Sequence, residues 1–555
     1  MTTNKSSINV NELFSKAKNY SKPNDLVKAL LIYDEIISID KNNAEAYFHK
    51  ALIFTKLKNY EEALRSYDLV IKIRPDFEEA YVNRGVILSI LMNPIEALKN
   101  FDLAIKLNPN HAIAHNNKGN VLTELSRFDE AIKNYEKAVK IDPNYADAFN
   151  NIALLKLLLG DYEEGWRLFE WRWKGPQKKE FRDFKKPLWL GNESIKNKTI
   201  LILSEQGFGD FIQFYRYCIL VEKLGAKIII ETPKELTSLI KNQNKSNIII
   251  SKGEPLPEFD FYCPIMSLPL AFGTNIHNIP AISPYINIDS GKLNFWRSKL
   301  INKKRVRVGI VWSGAQNKET DFNRSLILSQ LSPLFDLPLD FYVLQKKIRD
   351  IDKDYLFQSN NIYDFHELIE DFSDTAVLIS EMDIVISVDT SVAHLAGALN
   401  KPLWVLLPYV ADYRWMIDRI DSPWYPSATL FRQKETNNWD NVIIMIIIAS
   451  VFDMLDGRVA RLLKSTSEFG MHLDSLSDFV VFGAVPAFSI YLWMDKPQGN
   501  FFWIVIVLYV ICSALRLARF NSELSERPNY AKNYFNGVPT PAAAFLMLFP
   551  IAIDE

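Results

Sequence analysis

The sequence predicts a multidomain chain with three kinds of structure in series. An all-α superhelix of short repeats comes first, then an α/β pair of doubly wound halves, then an α-helical membrane segment. Three observations predict this. Pro75, Pro109 and Pro143 recur every 34 residues. Apolar β-branched runs alternate with helical patterns from Lys198 to Leu407. After Trp439-Asp440-Asn441 the chain turns abruptly apolar, as VIIMIIIASVF.

At 555 residues the chain has room for several domains. The expected boundaries are 1–175 for the repeats, 176–300 and 301–440 for the two α/β halves, and 441–555 for the membrane segment. The 64 basic and 66 acidic residues give a net charge of −2, so no nucleic-acid partner is expected. Cys218, Cys263 and Cys512 are scattered, which supports neither a disulfide framework nor a zinc site. The opening MTTNKSSINVNELF has no apolar core, so no signal peptide is expected.

In the first part each proline closes a similar phrase: IKIRPD, IKLNPN and VKIDPN. Ala63, Ala97 and Ala131 follow the same period, as do Tyr67, Phe101 and Tyr135, and Ala51, Gly85 and Gly119. Small residues let paired helices approach, the aromatic fills the gap, and the proline stops the second helix. The pattern resembles the tetratricopeptide repeat family, with a degenerate unit around Ala29 and Tyr33 and a last one from Tyr145 through Phe169. Such repeats stack around a concave groove. Asn83, Asn116, Asn117, Asn150 and Asn151 fall on first helices. They are either a solvated polar face or donors and acceptors for an extended peptide.

The α/β part has two blocks. KTILIL, the turn SEQGFGD, a helix FIQFYRYCILVEKLG and KIIIET make the first. RVRVGIVWSG, FYVLQK, DIVISVDTS and PLWVLL make the second. Ligands of such sheets bind outside the C-terminal ends of the strands, and the candidate residues fall there. Gly207 and Gly209 allow close backbone approach in the first turn. Asp210 is either a helix cap or a general base. Lys346 at a strand end is either solvated or a partner for a leaving diphosphate. Thr390 and Ser391 stand where a strand hands over to a helix, whose free N–H groups and dipole favour an anion. His394 lies on that helix, either packed or catalytic.

SEQGFGDFIQFYRY, MSLP, VGIVWSG, LQK, FSDTAVLI, DIVISVDTSVAHLAGAL and YRWMIDRIDSPWYPSATLFRQ occur in order over about residues 160–440. Together they resemble the bacterial glycosyltransferases related to heptosyltransferases, in the version with N-terminal tetratricopeptide repeats. The resemblance implies two Rossmann-like domains (GT-B-like) and a metal-independent transfer from a nucleotide-sugar donor. It implies Asp210 as the base, Asp389, Thr390, Ser391 and His394 as the nucleotide-diphosphate loop, and Lys346 as a phosphate contact. The repeats would hold a protein or peptide acceptor. A catalytically inert scaffold on the same fold is the other reading.

In the last part Asp453 and Asp456 are three apart, and Asp474 and Asp478 four apart, so each pair shares a helix face. Carboxylates among apolar helices are costly unless they hold cations, and their hard oxygens suit Mg²⁺, Mn²⁺ or Ca²⁺. Gly457 leaves room for a ligand and Arg461 offers a phosphate partner. The pattern D-x2-D-G-x2-A-R-x8-G-x3-D-x3-D resembles the CDP-alcohol phosphatidyltransferase signature. RLARFN and NGVPTPAAA resemble its phosphatidylserine synthase branch. The resemblance implies Mg²⁺ or Mn²⁺ held by Asp453, Asp456, Asp474 and Asp478, Asp478 doubling as base, and CDP-diacylglycerol as donor.

That family uses about six or more membrane helices. Candidates here are only 442–455, 475–494, 501–517 and 538–553, so the membrane part is expected to be partial. Arg458, Arg461, Lys464, Arg516, Arg519, Arg527 and Lys532 would put their loops in the cytoplasm. A spanning 442–455 would then place the preceding residues outside, away from nucleotide sugars. As a helix that stretch reaches only about 21 Å, short of a core of about 30 Å. The expectation is a fusion, natural or an assembly artefact, joined near residue 441. Its N-terminal domains belong in the cytoplasm and its C-terminal segment in the inner membrane.

Overall fold

The computed structural model describes residues 10–449, apart from 21, 23–24, 301–302, 304, 315–323, 360 and 437. The chain divides into two compact units, Met1–Val442 and Ile443–Glu555. Of the second, 443–449 are described, as helix. No helix among the described residues is long and apolar enough to cross a membrane. The first expected span is described only up to residue 449, and the other three lie outside the described residues.

Among the described residues the repeats are ten helices: α1 (Val10–Lys18), α2 (Leu26–Ile39), α3 (Ala44–Lys56), α4 (Tyr60–Ile73), α5 (Glu78–Ile90), α6 (Pro94–Leu107), α7 (Ala112–Glu124), α8 (Phe128–Ile141), α9 (Ala146–Leu158) and α10 (Tyr162–Phe169). The 34-residue period shows in the backbone as well as the side chains. Lys58, Met92, Ser126 and Gly160 all adopt positive φ between the paired helices. The next residue's N–H then reaches back five residues along the chain, as Asn59 to Phe54 and Asn93 to Leu88, which closes the first helix of each pair. The small positions act as expected. A Cβ on Gly85 would lie 2.8 Å from the Phe101 ring, and one on Gly119 would lie 2.5 Å from Tyr135.

Two parallel sheets follow. The first has β1 (Thr199–Leu203), β2 (Lys227–Thr232), β3 (Ile248–Ser251) and β4 (Phe261–Pro264), ordered β3-β2-β1-β4. The second has β5 (Arg307–Val311), β6 (Asp340–Val343), β7 (Ile362–Tyr363), β8 (Ile384–Val388), β9 (Leu403–Leu407) and β10 (Ala428–Arg432), ordered β10-β9-β8-β5-β6-β7. Counted within itself, the second sheet runs 3-2-1-4-5-6, a doubly wound order with its switch point beside β5 and β8. All five residues of β5 and of β8 are buried, as helix-covered parallel strands require.

The last repeat is not a free end. Trp166 of α10 packs edge-on against Phe214 of the first half and Tyr413 of the second, both at 5.8 Å. One apolar cluster runs from Val82 in the repeats to Leu430 in β10. The link segment adds a buried charge. Arg172 Nε and Nη2 donate to both oxygens of Glu205, at 2.9 and 3.0 Å, while Nη1 donates to Glu170 at 2.7 Å. Repeats and α/β halves therefore share a core.

The groove asparagines differ from one another in their surroundings. Asn151 Nδ2 donates to Asn116 at 2.9 Å and to Asn120 at 3.0 Å, so these three are linked between two first helices. Asn116 and Asn150 are buried rather than solvated.

Candidate active site

The short helix α11 (Phe208–Phe214) starts at the C-terminal end of β1. Gly207 is its N-cap, and Asp210 is its third residue. Asp210 Oδ2 accepts the Gly207 N–H at 2.7 Å, so the cap reading of Asp210 is correct as far as it goes. The other oxygen, Oδ1, pairs with the Arg414 guanidinium from the second half. Asp210 thus caps its helix and faces the other α/β half at once.

Gly209 explains why the halves come so close. A Cβ there would lie 2.7 Å from His394 Cδ2 and 3.5 Å from Ser391 Cα. Only glycine lets α11 lie on the helix Ser391–Ala398. Gly209, Asp210, Asp389, Thr390, Ser391 and His394, candidates from two sheets, therefore gather in one place. Thr390 sits at the N-cap with extended backbone but makes no capping bond. Its hydroxyl lies 3.1 Å from Ser387 Oγ instead. The first N–H groups of that helix, which have no acceptor inside the helix, carry its positive dipole end.

Asp389 follows β8, and its carboxylate lies 3.7 Å from His394 Nε2. Burial, then the facing Asp412, push the Asp389 carboxyl up to about 6, against the pull of Arg414 and Arg324. Burial, then Arg414, Arg216 and Arg324, hold His394 well below its ordinary value, so its ring is neutral at pH 7. The ring is fixed by Tyr425 Oη, 2.9 Å from Nδ1, and by Trp415 stacked at 5.4 Å. His394 is packed and held, with one edge toward Asp389.

The raised Asp389 value has a consequence for stability. The folded protein holds this proton more tightly than the unfolded chain, whose value is near 3.8. The group's contribution is therefore full below 3.8 and is lost as pH rises through about 6. Melting temperatures of wild type and Asp389→Asn should move apart between pH 5 and 7.5, the wild type falling relative to the variant. A constant difference across that window refutes the assignment.

Lys346 stands apart. It is exposed after β6, and its Nζ donates to the Glu370 carbonyl rather than to any member of the cluster. The cations beside the cluster are arginines. Arg324 Nη1 donates to the Asp389 carbonyl at 3.1 Å. Arg414 holds Asp210 and, at 2.6 Å, Asp412. Arg216, 2% exposed, ties the halves by donating to the Trp424 carbonyl at 2.7 Å. The signal for Arg414 was in the sequence, an arginine set among aromatics just after Asp412, but no spacing rule marks it.

A hollow of about 540 Å³ lined by Arg305, Asp336, Tyr355 and Asn361 opens at the N-terminal ends of β5, β6 and β7. That is the end of the sheet away from the cluster. Asp453, Asp456, Gly457, Arg461, Asp474 and Asp478 lie outside the described residues.

Comparison with known proteins divides the chain in a similar order. Tetratricopeptide repeat models match residues 44–77, 78–111, 100–133 and 119–160. The model of glycosyltransferase family 9 (heptosyltransferase) matches 371–441, a stretch that holds Asp389, Thr390, Ser391, His394 and Arg414. The CDP-alcohol phosphatidyltransferase model matches 423–554. The two transferase matches overlap at 423–441, which includes β10 of the second sheet. Curated relatives of the last part are CDP-diacylglycerol–serine O-phosphatidyltransferases. That of Mycobacterium tuberculosis is 42% identical over 113 residues, 20% of this chain and 38% of the relative. That of Helicobacter pylori is 40% identical over 111 residues, 20% of this chain and 46% of the relative. The chain spans less than half the length of each.

Among solved structures, a crystal structure of MamA aligns with 30% of this chain and 97% of its own, at 23% identity and a TM-score of 0.27. YrrB, described as a TPR protein with an unusual peptide-binding site, aligns with 31% of this chain and 93% of its own, at 23% identity and 0.26. The chain thus carries tetratricopeptide repeat matches followed by two transferase matches, one to glycosyltransferase family 9 and one to the CDP-alcohol phosphatidyltransferases.

Proposed function

We propose that residues 160–440 transfer a sugar from a nucleotide-activated donor to an acceptor held by the repeats. The observation that carries this reading is the meeting of Asp210 with the N-terminus of the helix Ser391–Ala398 across two sheets. An acid and an anion-favouring helix end on opposite sides of one site are what a displacement needs. Asp210 takes the proton of an acceptor hydroxyl, whose oxygen bonds to the anomeric carbon. The bond from that carbon to the donor's diphosphate breaks, and the diphosphate leaves with the electron pair against the helix N–H groups. The groove of the repeats suits a protein or peptide acceptor.

The full-length chain should release nucleoside diphosphate from one nucleotide sugar out of a panel varied in base and sugar, with chelator present. Nucleotide binding without turnover against any acceptor would favour the inert scaffold.

The tail supports a second reading, phosphatidyl transfer from CDP-diacylglycerol to serine, on the strength of the matched signature and the 42% identical relative. Mg²⁺ or Mn²⁺ is the proposed metal, with Asp453, Asp456, Asp474 and Asp478 as ligands and Gly457 and Arg461 facing the nucleotide. Asp478 is the proposed base. This activity belongs in the cell membrane, with the preceding domains in the cytoplasm. It should require lipid and metal, and it should disappear in Asp474→Asn while sugar transfer continues.

A further inference from the structure

We propose that Arg414 links the donor to the acid: the guanidinium that ties Asp210 to the second half is the cation that the donor's diphosphate engages. The inference rests on the sugar-transfer reading above.

Arg414 is 8% exposed, in a short turn at Tyr413–Trp415. Its Nη2 pairs with Asp210 and its Nη1 with Asp412, while its buried Nε has no protein partner. A buried guanidinium N–H without an acceptor is costly, so this side chain has a donor to offer. It lies close enough to Asp389 and His394 to shift both of their protonation equilibria. Gln213, on the same helix as Asp210, is fully buried with neither amide atom partnered. Backbone strain flanks both ends of the ion pair. Gln206 has φ 56°, and Met416 has φ 55° with ψ −166°, a region nearly confined to glycine. Such conformations persist only where the surroundings impose them, and they gather at functional sites.

The charges make an exchange of partners favourable. Arg414 pairs with Asp210 and Asp412 at once, and Asp389 adds to the negative charge around it, so one guanidinium is shared between two carboxylates. A diphosphate at the start of the helix Ser391–Ala398 would stand beside Asp389 and needs a cation there. An arginine fork matches phosphate oxygens in pairs, whereas its bond to Asp210 uses one oxygen of the carboxylate. Lys346, the cation expected from sequence, is engaged with Glu370. Once Arg414 turns to the diphosphate, Asp210 keeps the Gly207 N–H on Oδ2 and has Oδ1 open to the acceptor hydroxyl. The leaving diphosphate then departs against a charge that had been on the acid.

The test is calorimetric titration of the full-length chain with UDP, GDP, CDP and ADP, and with the nucleoside of whichever binds. If Asp210 and diphosphate compete for one guanidinium, Asp210→Asn binds that diphosphate more tightly, by about threefold to tenfold. Arg414→Gln binds it at least about tenfold more weakly, and Arg414→Lys, which keeps the charge and loses the fork, falls between. The nucleoside binds all of them alike. Tighter binding on removal of a carboxylate is not what a merely structural pair gives. Unchanged or weaker binding in Asp210→Asn overturns the proposal whatever Arg414→Gln does. If Arg414→Gln fails to fold, Asp210→Asn and Arg414→Lys carry the test. No nucleotide binding by the wild type overturns the sugar-transfer reading and this proposal together. Binding without the coupled response overturns this proposal alone.

Discussion

Asp210→Asn should lower sugar-transfer turnover by about 10²–10⁴-fold, the range for losing a general base. Alanine is the poorer test at this position. Asp210 is one of two direct partners of a buried guanidinium, and it accepts the N–H that opens α11. Removing one partner of a buried pair costs about 3–5 kcal/mol. Asp412 stays on Arg414, so the lower end applies. Alanine would therefore cost stability as well as the base, and the Arg414 pair is the reason. Asparagine keeps an acceptor for the Gly207 N–H and removes the base. Turnover and melting temperature measured on both variants separate the two effects. A folded Asp210→Asn enzyme working at the wild-type rate would leave Asp210 as a cap and an anchor only.

The repeats were legible from a repeated period and the second sheet from unbroken apolar runs. Prolines, small residues and aromatics at 34-residue spacing each answer to one packing need, as the Gly85–Phe101 and Gly119–Tyr135 contacts show. The buried runs of β5, β8 and β9 are long enough to declare themselves. The two-residue β7 is not. The site was legible where a turn motif carries it, at Gly207–Asp210 and Asp389–Ser391. It was not legible where the partner comes from far along the chain. Arg414 meets Asp210 across 204 positions, and Arg216 meets the Trp424 carbonyl across 208. Lys346 shows the converse. A lysine at the right strand end reads as a phosphate ligand until its head group is found on a local carbonyl. Asn116 and Asn151 likewise read as open to a ligand, because sequence does not reveal that they bond to each other between first helices.

Arg172→Ala should be the most destabilising single change in the link between repeats and site. Arg172 is fully buried and donates to Glu205, Glu170, Ser267 and the Phe169 carbonyl. Glu205 is itself 3% exposed and also accepts the Met266 N–H at 2.9 Å. Alanine leaves that carboxylate buried with one N–H for company, at a cost of about 3–5 kcal/mol. The effect should depend on pH in a definite direction. Burial already raises the Glu205 value against the pull of Arg172, and without the arginine it rises further. An acid whose folded value is raised contributes stability at low pH and loses it as pH rises through that value. The deficit of Arg172→Ala against wild type should therefore be smaller at pH 5 than at pH 8, read as the gap between melting temperatures. Arg172→Met with Glu205→Gln should recover part of the loss and flatten the pH dependence, since neither buried charge remains. Glu205 stands five residues before Asp210 on the same turn, so the rescued double variant also reports on function. If it folds well yet transfers sugar slowly, the ion pair sets the position of the turn. If it transfers at the wild-type rate, the pair only fastens the repeats in place.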